Sequence, residues 1–134
     1  MRPQLKTPGG DPAARPVVLI VDADDLLRWA LREVLSDANF SVCDVGTAAA
    51  ALETVGQRGV LPAVALVDPS LPDASGVKAL RALKGLVPSC RVIAMTAGGT
   101  AHDYIDRLRD EADDVLDKPI DLDVVVRRVQ QCVS

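Results

Sequence analysis

Short apolar runs alternate with amphipathic stretches along the chain from residue 17 onward. Val17 to Val21 is an unbroken aliphatic run, as expected of a strand covered on both faces. Beyond it, Asp24 or Asp25 can cap a helix in which Leu27, Ala30, Leu31, Val34 and Leu35 recur at helical spacing. Ser41 to Val45 reads as a second strand, and Thr47 caps an alanine-rich helix reaching about Gly56. Residues 63–67 form a third strand. After a loop rich in Pro, Ser and Gly, a helix from about Gly76 places Val77, Leu80 and Leu83 on one face. Arg91 to Met95 is a fourth strand, followed by a helix near Thr100 to Arg109. Asp113 to Leu116 is a short fifth strand, and Asp121 caps a last helix containing Val124, Val125 and Val129. This alternation predicts an α/β fold, a doubly wound five-stranded parallel sheet flanked by five helices.

The first 16 residues break the pattern. They hold Pro3, Pro8, Pro12 and Pro16 with Gly9-Gly10 and show no periodicity, which predicts a flexible N-terminal tail over 1–16. Residues 17–134 are then one domain, large enough for a proper core. The strand–helix units use all of it and leave nothing for a DNA-binding, catalytic or dimerisation module.

Composition narrows the function. Apolar residues make up 49% of the chain, yet Trp29, Phe40 and Tyr104 are its only aromatics. A stacking platform for single-stranded nucleic acid has almost nothing to be built from. The net charge of −4 also opposes a phosphate-backbone footprint. No direct nucleic-acid partner is expected. Cys43, Cys90 and Cys132 are odd in number, widely spaced and form no paired ligand motif, so they read as small buried hydrophobes in a reducing compartment. No stretch approaches the roughly 20 apolar residues of a membrane span, and the N-terminus lacks the apolar core of a signal peptide. These features predict a soluble, cytoplasmic protein with no membrane partner.

The strand ends carry the chemistry. The first strand runs into Asp22-Ala23-Asp24, the third into Asp68, the fourth into Thr96, and the fifth into Lys118 followed by Pro119. In a parallel sheet the ligand crevice lies at the carboxyl ends of the strands, so carboxylates, a hydroxyl and an ammonium converge on one edge. A lone Asp after a strand is usually a helix cap, and Lys118 alone could pair with Asp117 or Asp121. For Asp68 the spacing to Pro72 and Gly76 argues for function instead, and for Lys118 its position before Pro119 at a strand end does. His102 fits a solvated helix start.

Asp68 with Pro72 four residues on and Gly76 eight on, Thr96-Ala97 after an apolar strand, and Lys118-Pro119 near the end resemble the receiver domain of two-component response regulators. Ile20-Val21-Asp22 followed by Arg28-Trp29 is similar to that family's first strand and helix. The resemblance covers residues 17–134 and implies a flavodoxin-like (βα)5 fold. It implies that Asp68 is the phosphoacceptor in a phosphorelay, taking a phosphoryl group from a histidine kinase or phosphotransfer protein. Lys118 would neutralise the equatorial oxygens and the Thr96 hydroxyl would hydrogen-bond to them. Mg²⁺ would be held by Asp22, Asp24, Asp68 and the backbone carbonyl of Ser70, being a hard ion that favours oxygen. A stand-alone receiver of this kind is not an enzyme beyond self-catalysed phosphorylation and dephosphorylation. It would signal by docking an unknown downstream protein through its last helices and fifth strand.

The chain departs from that family in two main places. Counting back from Arg28, the usual pair of acids falls on Asp22 and Ala23, so the second acid is lost and the metal site weakened; Asp24 is its nearest substitute. Val115 stands where a Tyr or Phe is common, leaving no ring to move with Thr96. Ser75, Glu111 and Ile120 are smaller changes. The departures motivate an alternative, a pseudo-receiver that binds a partner without phosphate. Asp22-x-Asp24 also resembles the first motif of haloacid-dehalogenase-type phosphohydrolases, with Asp22 as nucleophile and Asp24 as acid/base. That reading leaves the Asp68, Pro72 and Gly76 spacing unexplained.

Overall fold

The apolar runs become strands because β-branched and aliphatic side chains pack well on a pleated surface buried from both sides. In a computed structural model of the chain, which describes residues 15–134, they form β1 (Val17–Val21), β2 (Ser41–Val45), β3 (Val64–Val67), β4 (Arg91–Thr96) and β5 (Asp114–Asp117). The helices between them are α1 (Asp25–Asp37), α2 (Ala48–Gly56), α3 (Gly76–Leu86), α4 (His102–Glu111) and α5 (Leu122–Val133). The flexible tail expected over 1–16 falls, but for its last two residues, outside the described residues.

All strands pair in parallel in the order β2-β1-β3-β4-β5. The predicted five-stranded, doubly wound sheet is therefore present. Alternation along each strand splits the core into two layers. Leu19, Val21, Ala65, Val67 and Val92 face α2, α3 and α4 through Ala51, Leu80, Leu83 and Leu108. Val18, Ile20, Val64, Leu66, Ile93 and Met95 face α1 and α5 through Leu31, Leu35, Val125 and Val129. The three central strands are buried on both faces, which is why their sequences are unbroken apolar runs. The edge strands β2 and β5 carry acids.

Successive strands are added on one side of β1 and then on the other, so the chain reverses direction between β2 and β3. Such a reversal opens a crevice at the carboxyl ends of β1 and β3. Asp22 and Asp68 are the first residues beyond those two strands.

Several boundaries differ from expectation, β3 by a single residue at its start. β4 extends to Thr96 and β5 spans Asp114–Asp117, one residue later than predicted. The parallel register pairs Thr96 with Asp117, while Asp113 turns its carboxylate to the Val92 amide (2.7 Å) and to Lys84 (2.8 Å). α4 starts at His102 with Ala101 as its cap and no side-chain capping bond. Thr100, which the sequence suggested at the helix start, instead donates its hydroxyl to the Ala97 carbonyl.

Candidate functional site

β1 delivers Asp22 into the crevice with 1% of its surface exposed. Its amide donates to the Val45 carbonyl (3.1 Å), and its Oδ1 accepts from the Asp24 amide (2.8 Å). Its carbonyl accepts from Arg28 Nη1 at 2.6 Å. Arg28 is itself fixed from α1, donating to Asp44 on β2 (3.0 Å) and to Asp25 (2.5 Å). The β1–α1 turn is thus braced by an arginine whose guanidinium also holds the edge strand β2.

Asp68 extends β3 by one hydrogen bond, its amide donating to the Val21 carbonyl (2.9 Å). Its Oδ1 accepts from the Ser70 amide (2.8 Å), closing a tight turn that aims Oδ2 the other way. Lys118 reaches across from the end of β5, and its Nζ lies 3.2 Å from Asp68 Oδ2 and 2.8 Å from Asp22 Oδ2. One ammonium bridges two nearly buried carboxylates. Burial alone would pull the Lys118 pKa down, but the hydrogen bond to Asp22 and the charges of Asp22 and Asp68 raise it overall. Two acids against one cation leave the pocket with about one net negative charge.

Thr96 is fully buried at the end of β4. Its hydroxyl donates to Asp117 Oδ1 at 2.9 Å, with the Leu116 carbonyl a longer contact at 3.4 Å. It occupies the predicted strand end but is turned toward β5. Asp24 is also engaged elsewhere: its Oδ1 caps α1, accepting from the Leu26 (3.0 Å) and Leu27 (3.1 Å) amides, and the residue is exposed. Asp22, Asp68 and Lys118 therefore come together, while Asp24 and the Thr96 hydroxyl point away from them. His102 is exposed at the start of α4, as expected.

Of the magnesium set expected from the resemblance, Asp22, Asp24, Asp68 and the Ser70 carbonyl, one carboxylate, Asp24, is engaged elsewhere. Position 23 has no donor, Asp24 serves the helix, and no group of three or more His, Cys, Asp or Glu suited to a metal occurs among the described residues. Asp22 and Asp68 remain, two hard donors at one opening. Mg²⁺ commonly binds through one or two carboxylates and keeps several waters, so this pair fits a weak, hydrated ion and nothing tighter.

Residue-level reading missed several supports. Asp73, in the loop after β3, accepts from the Ala48 and Ala49 amides (both 2.9 Å) and so ties the Asp68 loop to the start of α2. Those two backbone bonds hold its carboxyl below the usual range. No local signal links residues so far apart in the chain. Gly76 shows why the spacing to Asp68 matters. A Cβ there would lie 2.3 Å from Pro69 Cβ and 2.8 Å from the Tyr104 hydroxyl. Only glycine lets Pro69 and Tyr104 approach so closely.

The family model described as "Response regulator receiver domain" matches residues 18–130. The chain belongs to the response regulator receiver domain family. As a receiver it is a signalling domain of two-component systems. It is 31% identical over 120 residues to the DNA-binding transcriptional regulator NtrC of Escherichia coli, covering 90% of this chain and 25% of that protein. It is 32% identical over 113 residues to the virulence transcriptional regulatory protein PhoP of Shigella flexneri, covering 84% of this chain and 50% of that one. Among solved structures, a signal receiver domain from Vibrio parahaemolyticus superposes with a TM-score of 0.77 at 26% identity, covering 88% of this chain and 89% of that one. A CheY-like receiver from Methanospirillum hungatei gives 0.79 at 23%, covering 88% and 93%. The receiver spans a quarter to a half of the length of these curated relatives, so they speak for the domain and not for a stand-alone protein. No helix among the described residues is long and apolar enough to cross a membrane.

Proposed function

We propose that Asp68 accepts a phosphoryl group from a phosphohistidine on a histidine kinase or phosphotransfer protein. The observation that carries this is the Lys118 ammonium held 3.2 Å from Asp68 Oδ2 in a crevice at the strand ends. An Asp68 carboxylate oxygen attacks phosphorus, the new O–P bond forms, and the P–N bond to the imidazole breaks with its electron pair leaving on nitrogen. The barrier for such a transfer is lowered chiefly by position and by neutralising the phosphoryl oxygens. Lys118 supplies a cation without moving far, since it already sits on the nucleophile. Asp22 holds that cation in place and adds negative charge that the incoming donor must overcome. Mg²⁺ held by Asp22, Asp68 and the Ser70 carbonyl would offset the charge of the phosphoryl oxygens. The phosphoryl group carries about −1.5 to −2 charge units in place of the single carboxylate charge of Asp68, which biases the strand ends and α4 toward a second arrangement read by a partner protein.

The test is intact mass after incubation with acetyl phosphate, with and without Mg²⁺, on the wild type and Asp68→Asn. One added phosphoryl group in the wild type and none in Asp68→Asn is the expected result. A partner-binding module that ignores phosphate is the second reading, favoured by Ala23 and by a Thr96 hydroxyl already occupied. Under it no protein gains mass, and Asp68→Asn binds its partner as the wild type does. The phosphohydrolase reading loses support, because Asp24, its acid/base, is taken up by the α1 cap.

A further inference from the structure

Asp117 belongs to none of the expected site roles, yet its carboxylate receives the one hydrogen that Thr96 can donate. The geometry points to Asp117 as a positioning residue that holds the Thr96 hydroxyl off the phosphoryl site until Asp68 is modified. This rests on the phosphoacceptor reading of Asp68.

The observations are local and independent of the Lys118 bridge. Thr96 and Asp117 are register partners on the parallel pair β4–β5. The Lys118 amide donates to the Thr96 carbonyl at 2.7 Å, fixing the backbone on both sides of the pair. With the backbone fixed, the hydroxyl is redirected by turning the side chain to another staggered position. A hydroxyl has a single proton to give, and here it lies 2.9 Å from Asp117 Oδ1. A hydrogen bond to a carboxylate is charge-assisted and roughly twice as strong as a neutral one. Asp117 is exposed while Thr96 is buried, so the acid is held at no desolvation cost comparable to that of Asp22.

A phosphoryl group on Asp68 offers three strong acceptor oxygens in competition with that one carboxylate. Which of them wins the Thr96 proton decides whether the end of β4 changes. At the neighbouring position Val115 has no ring to follow the hydroxyl. The opposing contact in this chain is the acid two residues later. Asp117 therefore sets how much phosphoryl charge is needed before Thr96 turns.

The experiment uses acetyl phosphate with Mg²⁺, followed by intact mass over time, on the wild type, Asp117→Ala, Asp117→Asn, Thr96→Ala and the Thr96→Ala/Asp117→Ala double variant. In this reaction the Asp68–phosphorus bond forms as the acetyl oxygen–phosphorus bond breaks and acetate leaves. Asp117→Ala is expected to speed modification about tenfold, the size of one charge-assisted hydrogen bond. Asp117→Asn, which keeps an acceptor without charge, falls between. In the Thr96→Ala background the same Asp117 change shifts the rate less than about twofold, because the two side chains act as a unit. A second readout needs no phosphate: methyl NMR of Thr96 gives one side-chain rotamer in the wild type and an averaged one in Asp117→Ala. Phosphorylation of Asp68 at equal rates in the wild type and Asp117→Ala overturns the role of Asp117 alone. An equal gain in both Thr96 backgrounds also overturns it, since the effect is then long-range charge. No mass gain in any variant overturns the Asp68 reading, and the role of Asp117 with it.

Discussion

Lys118 holds together two carboxylates that would otherwise repel each other out of water. Asp22 is 1% exposed and Asp68 8%, so neither can turn to solvent for compensation. Replacing the ammonium by a thioether of similar length, Lys118→Met, strips both of their shared cation. Removing one partner of a buried charge pair costs more than the pair contributes, because the remaining charge stays desolvated. Lys118 is itself partly exposed, so the expected loss is about 1–3 kcal/mol, read by urea denaturation. Adding Asp22→Asn should recover part of it by removing one of the two like charges. No change on Lys118→Met would mean that the bridge is dispensable to the fold. Gly76 makes the opposite kind of demand, for space. Its missing Cβ would sit 2.6 Å from Pro69 Cα, a backbone atom beside Asp68 that has no room to swing aside. Gly76→Ala should cost about 1–3 kcal/mol of stability by overpacking. It should also slow acetyl phosphate modification by shifting the Asp68 loop.

At the scale of elements, α1 is fastened to the edge strand β2 by charge as well as by packing. Arg28 and Arg32 both bond the carboxylate of Asp44, Arg28 at 3.0 Å. Burial pushes the Asp44 carboxyl upward, but the hydrogen bonds from Arg32 and Arg28 outweigh it and hold the group below its ordinary value of 3.8. A depressed folded-state pKa gives stability that is complete above the unfolded value and lost as pH falls through the folded one. Urea midpoints of the wild type should therefore decline below about pH 4. Asp44→Asn should be less stable at pH 7 and flatter in that acid window. An unchanged acid slope would show that the other depressed acids carry the effect instead: Asp113, lowered by Lys84 and the Val92 amide despite its burial, and Asp73. The strands themselves were legible because unbroken runs such as Val17–Val21 have no other stable placement. The caps Thr47 and Asp121 were legible because side-chain oxygens ahead of a helix act locally. What sequence patterns missed depends on register. The one-residue shift of β5 put Asp117 opposite Thr96, and long-range bonds such as Asp73 to Ala48 leave no periodic trace. Asp24 was legible as the cap of α1, but the sequence also offered it as a metal ligand, since one residue type serves either role.

For the whole molecule, the sheet is a partition as well as a frame. The layer under α2, α3 and α4 and the layer under α1 and α5 share strands but face opposite ways. The crevice residues are the strand ends of that frame, so their spacing is set by both layers at once. Leu83 is buried in the first layer and Ile93 in the second. Leu83→Ala should cost about 2–5 kcal/mol and Ile93→Val about 0.5–1.5 kcal/mol, from lost burial and residual cavity. With no shared packing partners, the double variant should lose the sum to within about 0.5 kcal/mol. Unfolding should stay a single transition with an unchanged urea slope, since a domain of this size melts as one unit. Ile93→Val should leave the acetyl phosphate rate of the folded protein where it was, because a lost methyl inside the sheet moves no strand end. A coupling well above 1 kcal/mol, or a rate change with Ile93→Val, would mean that the two layers adjust together and that the crevice feels the core directly.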